Sequence, residues 1–185
     1  RYAPNSLFSP HTHGGGEEIL VLDGVFQDES GGFPAGTYIR NPPTSRHTPR
    51  SAPGCIIFVK LWQFDHADRT LVRIDIKKME FLPAVDRPGV EILPLFSDGR
   101  ENVRIERAAA SLKVNLSPAG GMELLVLDGG FTIGEESFEA QSWLRLPPGE
   151  PFQCNTGEQG AKLWIKSGHL ARPQTAPQGD DTTQR

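Results

Sequence analysis

Cysteine is scarce in this chain: Cys55 and Cys154 are the only two among 185 residues. They are too few to staple a chain of this length, and their spacing offers no zinc pair, so two small buried side chains in a reducing cytoplasm are expected. Long apolar runs are also missing. Nothing approaches the ~20 residues that a helix needs to cross a bilayer, and the opening residues show no signal-peptide pattern, so neither a membrane partner nor export is expected. Basic residues are neither abundant nor clustered. A net charge of -4, with 19 Lys and Arg scattered along the chain, makes no stripe able to neutralise a run of phosphates, which excludes nucleic acid as a partner. Hardly any stretch has the apolar spacing of a long amphipathic helix. What is plentiful is turn chemistry. With 20 Gly and 16 Pro among short apolar runs, the composition points to an all-β protein.

An internal repeat organises the chain. "EEILVLDGVF" begins at Glu17 and "MELLVLDGGF" at Met122, a displacement of 105 residues. "YIRNPP" from Tyr38 returns as "WLRLPP" from Trp143 at the same displacement, and "GCIIFVK" from Gly54 returns as "GAKLWIK" from Gly160 after one extra residue. Three ordered matches indicate two copies of one β domain, not a solenoid of many short units. The first copy is expected over residues 1–65, a connector over 66–84 with "TLVRIDI" as a strand, the second copy over 85–170, and a polar, Pro-interrupted tail over 171–185. The second copy has a strand-rich lead-in, "VEILPLFSDG" and "ENVRIERAAASLKVNL", that the first lacks. The chain also opens without Met, so leading strands of the first domain are expected to be missing from this sequence or supplied by another chain.

Chemistry concentrates in "HTHGGGEEILVLDG". Side chains at i and i+2 of a strand leave the same face, so His11 and His13 can address one atom, which a helix would not allow. Gly14, Gly15 and Gly16 favour a bend, because glycine accepts backbone angles that other residues resist, and the bend returns Glu17 toward the imidazoles. "GTYIRNPPTSRHTP" then supplies His47 after a Pro-Pro turn that restricts the backbone. Three imidazoles and a carboxylate suit a borderline divalent ion and leave one or two positions for water or a small ligand. The two histidines taken alone would be exposed polar residues on an edge strand; Glu17 and His47 weigh against that.

These residues resemble the cupin family, whose first motif runs Gly-x5-His-x-His-x3-4-Glu-x6-Gly and whose second runs Gly-x5-Pro-x-Gly-x2-His-x3-Asn. Here His11, His13, Glu17 and Gly24 match the first, and Gly36, Pro42 and His47 the second. Thr44 stands where the family has Gly, Ser51 where it has Asn, and Pro4 or Asn5 where the opening Gly falls. The resemblance implies two tandem double-stranded β-helix, or jelly-roll, barrels with a metal near the mouth of the first. More narrowly, the run from His11 to Cys55 is similar to the cupin domain of ChrR-like anti-sigma factors. That likeness implies one divalent metal ion per chain at His11, His13, Glu17 and His47, zinc foremost, with iron, manganese or nickel as alternatives.

In the second copy the same displacement puts Leu116, Pro118, Met122 and Phe152 at the ligand positions. None suits such a metal, so that barrel is expected to be structural or to form a dry pocket. Glu18 should point away from the ligands into a surface or interface salt bridge. Tyr38 and Arg40 are expected to be structural because Trp143 and Arg145 replace them in the metal-free copy. Cys55, replaced by Ala161, is expected to pack; His66 and His169 should lie at the surface; Trp62 and Trp164 should be packing bulk. The function these features imply is a regulatory or sensory metal protein responding to a small-molecule ligand or oxidant, with a homodimer expected from the jelly-roll edges. The alternative is a metal-dependent dioxygenase acting on a diketone or hydroxyaryl ketone, and a barrel that binds without turnover is a third reading. The helical zinc domain of a complete anti-sigma factor has no counterpart here, so direct sigma-factor binding by that route is not expected.

Overall fold

Short alternating runs punctuated by Gly and Pro become strands throughout. In "VEILPLFS" Val90, Leu93 and Leu95 are buried while Glu91 and Pro94 are exposed, and the ladder slips between Pro94 and Phe96, where proline has no N–H to give. The computed structural model describes residues 1–172 and divides between Lys78 and Met79 into two units, both built of β-sheet. The all-β, two-barrel expectation holds. No helix among the described residues is long and apolar enough to cross a membrane.

The first unit holds β1 (Ser6–Leu7), β2 (His11–Thr12), β3 (Glu17–Asp28), β4 (Gly31–Pro34), β5 (Thr37–Asn41), β6 (Arg46–His47), β7 (Arg50–Ser51), β8 (Cys55–Leu61) and β9 (Val72–Asp75). The long strand β3 is its spine: β4, β5, β7 and β8 all pair with it, β9 pairs with β5, and β2 and β6 form a separate two-stranded ribbon. The second unit holds β10 (Leu82–Pro83), β11 (Val90–Ser97), β12 (Asn102–Ala108), β13 (Lys113–Leu116), β14 (Met122–Ile133), β15 (Glu136–Glu139), β16 (Trp143–Leu146) and β17 (Phe152–Ser167). Its spine is β14, with β15, β16 and β17 paired to it and β11 and β12 continuing the sheet from β17. The strand expected in "TLVRIDI" within the segment 66–84 forms at Val72–Asp75. Val72–Asp75 is an edge strand of the first unit and Leu82–Pro83 one of the second, because each carries backbone groups that a neighbouring strand satisfies. Apart from Ala171 and Arg172, the expected tail 171–185 lies outside the described residues.

The repeat survives at the level of register. Gly24 lies opposite Cys55 and Gly129 opposite Ala161, each just after a bulge that follows Val21 and Val126. Both glycines have positive φ, +69° and +65°, and a Cβ on either would fall 2.1 or 2.2 Å from the carbonyl oxygen of Gly54 or Gly160. Only glycine fits there, which is why "LVLDG" recurs intact. Inside the first unit Ile19, Val21, Phe26, Ile39 and Cys55 form the core; inside the second a larger cluster gathers around Leu124, Val126, Phe131, Phe152 and Leu163. Each such fully buried large side chain contributes about 1.5–3 kcal/mol, an upper range set against an extended chain.

Candidate metal centre

Three strands deliver the cluster. His11 in β2 lies directly opposite His47 in β6, His13 follows β2, and Glu17 opens β3. The backbone N–H of His13 donates to the carbonyl of Ser45, and that of Thr44 to the carbonyl of His13, so the ribbon continues past β2 and fixes His13 as well. One ligand atom from each of His11, His13, Glu17 and His47 lies within 4.8 Å of the others. The imidazole centroids are 4.6–5.1 Å apart with interplanar angles of 74–84°, so the rings meet edge to face around a common point. His13, Glu17 and His47 are buried, while His11 is exposed and leaves the cluster reachable from solvent.

The three glycines answer to packing as much as to bending. A Cβ on Gly14 or Gly15 would fall 2.6 or 2.3 Å from the Trp62 ring, and one on Gly16 would fall 2.2 Å from Phe64. Of the three only Gly16 has positive φ, +78°. Trp62 and Phe64 are thus held against the ligand hairpin, and their backbone N–H groups donate to the carbonyls of Gly16 and Gly15. Thr44, where the family pattern has Gly, has φ +72°, a left-handed conformation that a β-branched residue adopts at a cost.

Hydrogen bonds around the cluster decide which imidazole nitrogen faces inward. His11 Nδ1 lies 3.0 Å from the Ser9 carbonyl oxygen, which can only accept, so Nδ1 carries the proton. His13 Nδ1 lies 3.0 Å from Ser45 Oγ; that hydroxyl donates to the Pro42 carbonyl at 2.6 Å, so toward His13 it accepts. In both rings the Nε2 lone pair is left for the cluster. His13 Nε2 and His47 Nε2 approach Glu17 Oε2 to 3.2 and 3.5 Å, yet both nitrogens are buried without a hydrogen bond. Such stranding costs roughly 1–3 kcal/mol per group, and a cation between them would remove it. The donor set therefore fits a first-row divalent ion on the geometry of this chain.

Charge follows the same design. Burial works to raise the Glu17 carboxyl, but the approach of His13, the Asn41 hydrogen bond and nearby His47 outweigh it and hold it below its ordinary value. Asn41 Nδ2 donates to Glu17 Oε2 at 3.0 Å, and Arg73 donates to Asn41 Oδ1 at 2.6 Å, which sets the amide's orientation. Burial lowers the pKa of His47, against the opposing charge of Glu17, keeping its ring neutral as ligation requires. Burial, together with the charge of Glu17 and Cys55, pushes the Tyr2 phenol up to about 12, so it stays a proton donor.

The four expected residues thus come together. Ser45, Asn41, Arg73, Asp28 and Tyr2 were not singled out from sequence. A signal existed for three of them: at the 105-residue displacement Asn41, Ser45 and Asp28 become Leu146, Glu150 and Ile133, losing their roles together with the ligands. In the second unit Leu116 lies opposite Phe152, the register of His11 and His47, and Met122 and Phe152 are 1% exposed in the apolar core. Phe152 packs on Phe131 at 5.5 Å, as His47 packs on Phe26 at 5.9 Å. The counterparts Met122 and Phe152 belong to the apolar core, and Leu116 packs against it.

Two expectations need correction. Glu18 does face away from Glu17, but it is 2% exposed and accepts a hydrogen bond from Tyr38 instead of reaching the surface. Both faces of Glu17–Val21 are buried, as the unalternated run "ILVL" already hinted. His169 is not a surface residue: its side chain is 6% exposed and lies 3.2 Å from Glu123. His66 is exposed, Cys55 is packed and Trp164 is buried, whereas Trp62 is 39% exposed although it packs on the glycines. Arg40 is structural, bridging to Asp68 at 2.6 Å and stacking over Phe64 at 3.8 Å.

Residues 1–65 match the family described as ChrR cupin-like domain. No curated protein matches the sequence. Among solved structures, a candidate dioxygenase of Nostoc punctiforme superposes with a TM-score of 0.70 at 15% identity, covering 95% of this chain and 71% of that one. The oxalate decarboxylase of Bacillus subtilis gives 0.63 at 9%, covering 89% and 66%. A cupin 2 conserved barrel domain protein from Leptotrichia buccalis gives 0.61 at 11%, covering 90% and 79%. At these identities the likeness speaks for the fold alone.

Proposed function

From a chain that carries a ChrR cupin-like domain over residues 1–65 within a tandem cupin fold, we propose a metal-dependent sensor of a small molecule or oxidant. One divalent ion, zinc foremost, is held by His11, His13, Glu17 and His47. The observation that carries this reading is the convergence of buried Nε2 atoms and a carboxylate within 4.8 Å, with the His11 and His13 rings already locked in the ligating tautomer. The ion would supply Lewis acidity and one or two exchangeable positions. Exposed His11 gives a small ligand or oxidant a way in, and the apolar second barrel serves as scaffold.

A second reading, dioxygen-dependent cleavage of a diketone or hydroxyaryl ketone, draws support from the exchangeable positions and from the Tyr2 phenol, a proton donor within the field of Glu17. The test is metal content by mass spectrometry on protein made without added metal. About one equivalent of zinc per chain is expected. Two equivalents, or none, sink the assignment, and iron together with oxygen uptake on β-diketones would transfer it to the dioxygenase reading.

A further inference from the structure

His47 is the one imidazole of the three whose Nδ1 has no hydrogen bond, although the atom is buried. The group nearest to satisfying it is Asp28, whose Oδ2 lies 3.5 Å away and whose side chain is itself 2% exposed. Asp28 closes β3, where the turn to β4 begins, and its other oxygen, Oδ1, accepts the Ser30 N–H at 2.7 Å. The next residue, Glu29, accepts the backbone N–H of Thr48 at 3.0 Å. Of the pair Asp28–Glu29, Glu29 thus holds the backbone beside His47 while Asp28 faces the His47 ring. In the second unit the corresponding pairs are Ile133–Gly134 and Phe152–Gln153. The carboxylate is lost where the imidazole is lost, although the strands and their register are kept.

Resting on the metal reading above, we propose that Asp28 is the positioning residue of the site: it holds the Nδ1 proton of His47 and so presents Nε2 to the ion. Ser9 and Ser45 do this for His11 and His13 with neutral acceptors. His47 differs in using a buried carboxylate, which also raises the basicity of the ligating nitrogen and offsets part of the charge of the ion.

The geometry makes Asp28→Asn the informative change. Ser30 N–H keeps the amide oxygen in the place of Oδ1, so the amide N–H2 takes the place of Oδ2 and faces His47. Nδ1 must then accept, the proton moves to Nε2, and Nε2 turns from ligand to blocker. Asp28→Ser removes the carboxylate without presenting a competing donor of that kind, and carries the test should the amide disturb the turn. Zn(II) affinity of the full chain is measured by competition with a chromophoric chelator, and the His47 tautomer of the metal-free protein by long-range proton–nitrogen NMR. Expected are a loss of about 10–100-fold in Zn(II) affinity for Asp28→Asn, a smaller loss for Asp28→Ser, and a switch from the Nδ1–H to the Nε2–H tautomer in the Asn variant only. Affinity within about twofold of the parent in both variants, or an unchanged tautomer in Asp28→Asn, overturns the assignment. A parent protein that binds no ion overturns the metal reading itself, and this one with it.

Discussion

The second barrel shows an apolar version of the cluster that the first barrel builds from His11, His13, Glu17 and His47, and a double-mutant cycle turns the comparison into a measurement. Glu17 lies opposite Asn41 in β3 and β5; Met122 lies opposite Leu146 in β14 and β16. Glu17→Met, Asn41→Leu and the double variant transplant the second pair into the first unit. Both native side chains are buried, at 8% and 3% exposed, and joined by the 3.0 Å hydrogen bond from Asn41 Nδ2 to Glu17 Oε2. Removing either partner alone strands the other, at roughly 1–3 kcal/mol, while removing both strands neither. Other terms cancel in the cycle. The apolar gain of the introduced methionine and the lost contacts of His13 and His47 are common to both Glu17 variants, and the acceptor lost to Arg73 is common to both Asn41 variants. The two stranding penalties add in the cycle, so the coupling energy is expected at about 2–6 kcal/mol, with the double variant more stable than the sum of the singles predicts. Urea unfolding of the full chain with chelator present, so that metal linkage does not contribute, measures it. Additivity to within about 0.5 kcal/mol would show that the pair is not coupled and would refute the reasoning.

Glu106, 2% exposed between Arg87 at 2.8 Å and Arg104 at 2.6 Å, is the ionic strut of the second unit, and Glu106→Gln is expected to cost about 3 kcal/mol by leaving two guanidiniums without their charge partner. Burial works to raise its carboxyl, but the two guanidiniums prevail and lower it, so its contribution is complete above the ordinary value of 4.5 and is lost as pH falls through the lower folded value. Acid titration of stability should flatten below pH 4.5 in the variant, and an unchanged slope would contradict the assignment. Thr44→Gly, which restores the family's residue at φ +72°, is expected to stabilise the first unit by roughly 0.5–1 kcal/mol, the left-handed penalty less the entropy cost of glycine; thermal unfolding decides, and a destabilised variant refutes the strain.

Much of this molecule was legible before its structure. The spacing of His11 and His13, the turn to Glu17 and the Pro-Pro approach to His47 are local features, and the pairing of β2 with β6 then brings His47 to the other three. The 105-residue displacement matched not only sequence but strand register, down to Leu116 opposite Phe152. Less legible was everything that depends on a covering surface. Glu18 in β3 and His169 just after β17 read as surface groups because a polar side chain looks the same in sequence whether its face meets water or protein. The glycines read as a bend because φ is a local property, whereas the rings of Trp62 and Phe64 arrive from beyond the end of β8.

The sequence by itself determined the β class, the duplication and the identity of the four clustered side chains, since these follow from period-two alternation and turn residues, which act over a few residues, and from a repeat that is read directly along the chain. Only the tertiary structure decided which nitrogen His11 and His13 turn inward, that Asn41 and Arg73 brace Glu17, and that the second unit has Met122 and Phe152 in its apolar core at the matching positions. Hydrogen bonds and packing between strands distant in sequence set those outcomes, and no single segment encodes its partner.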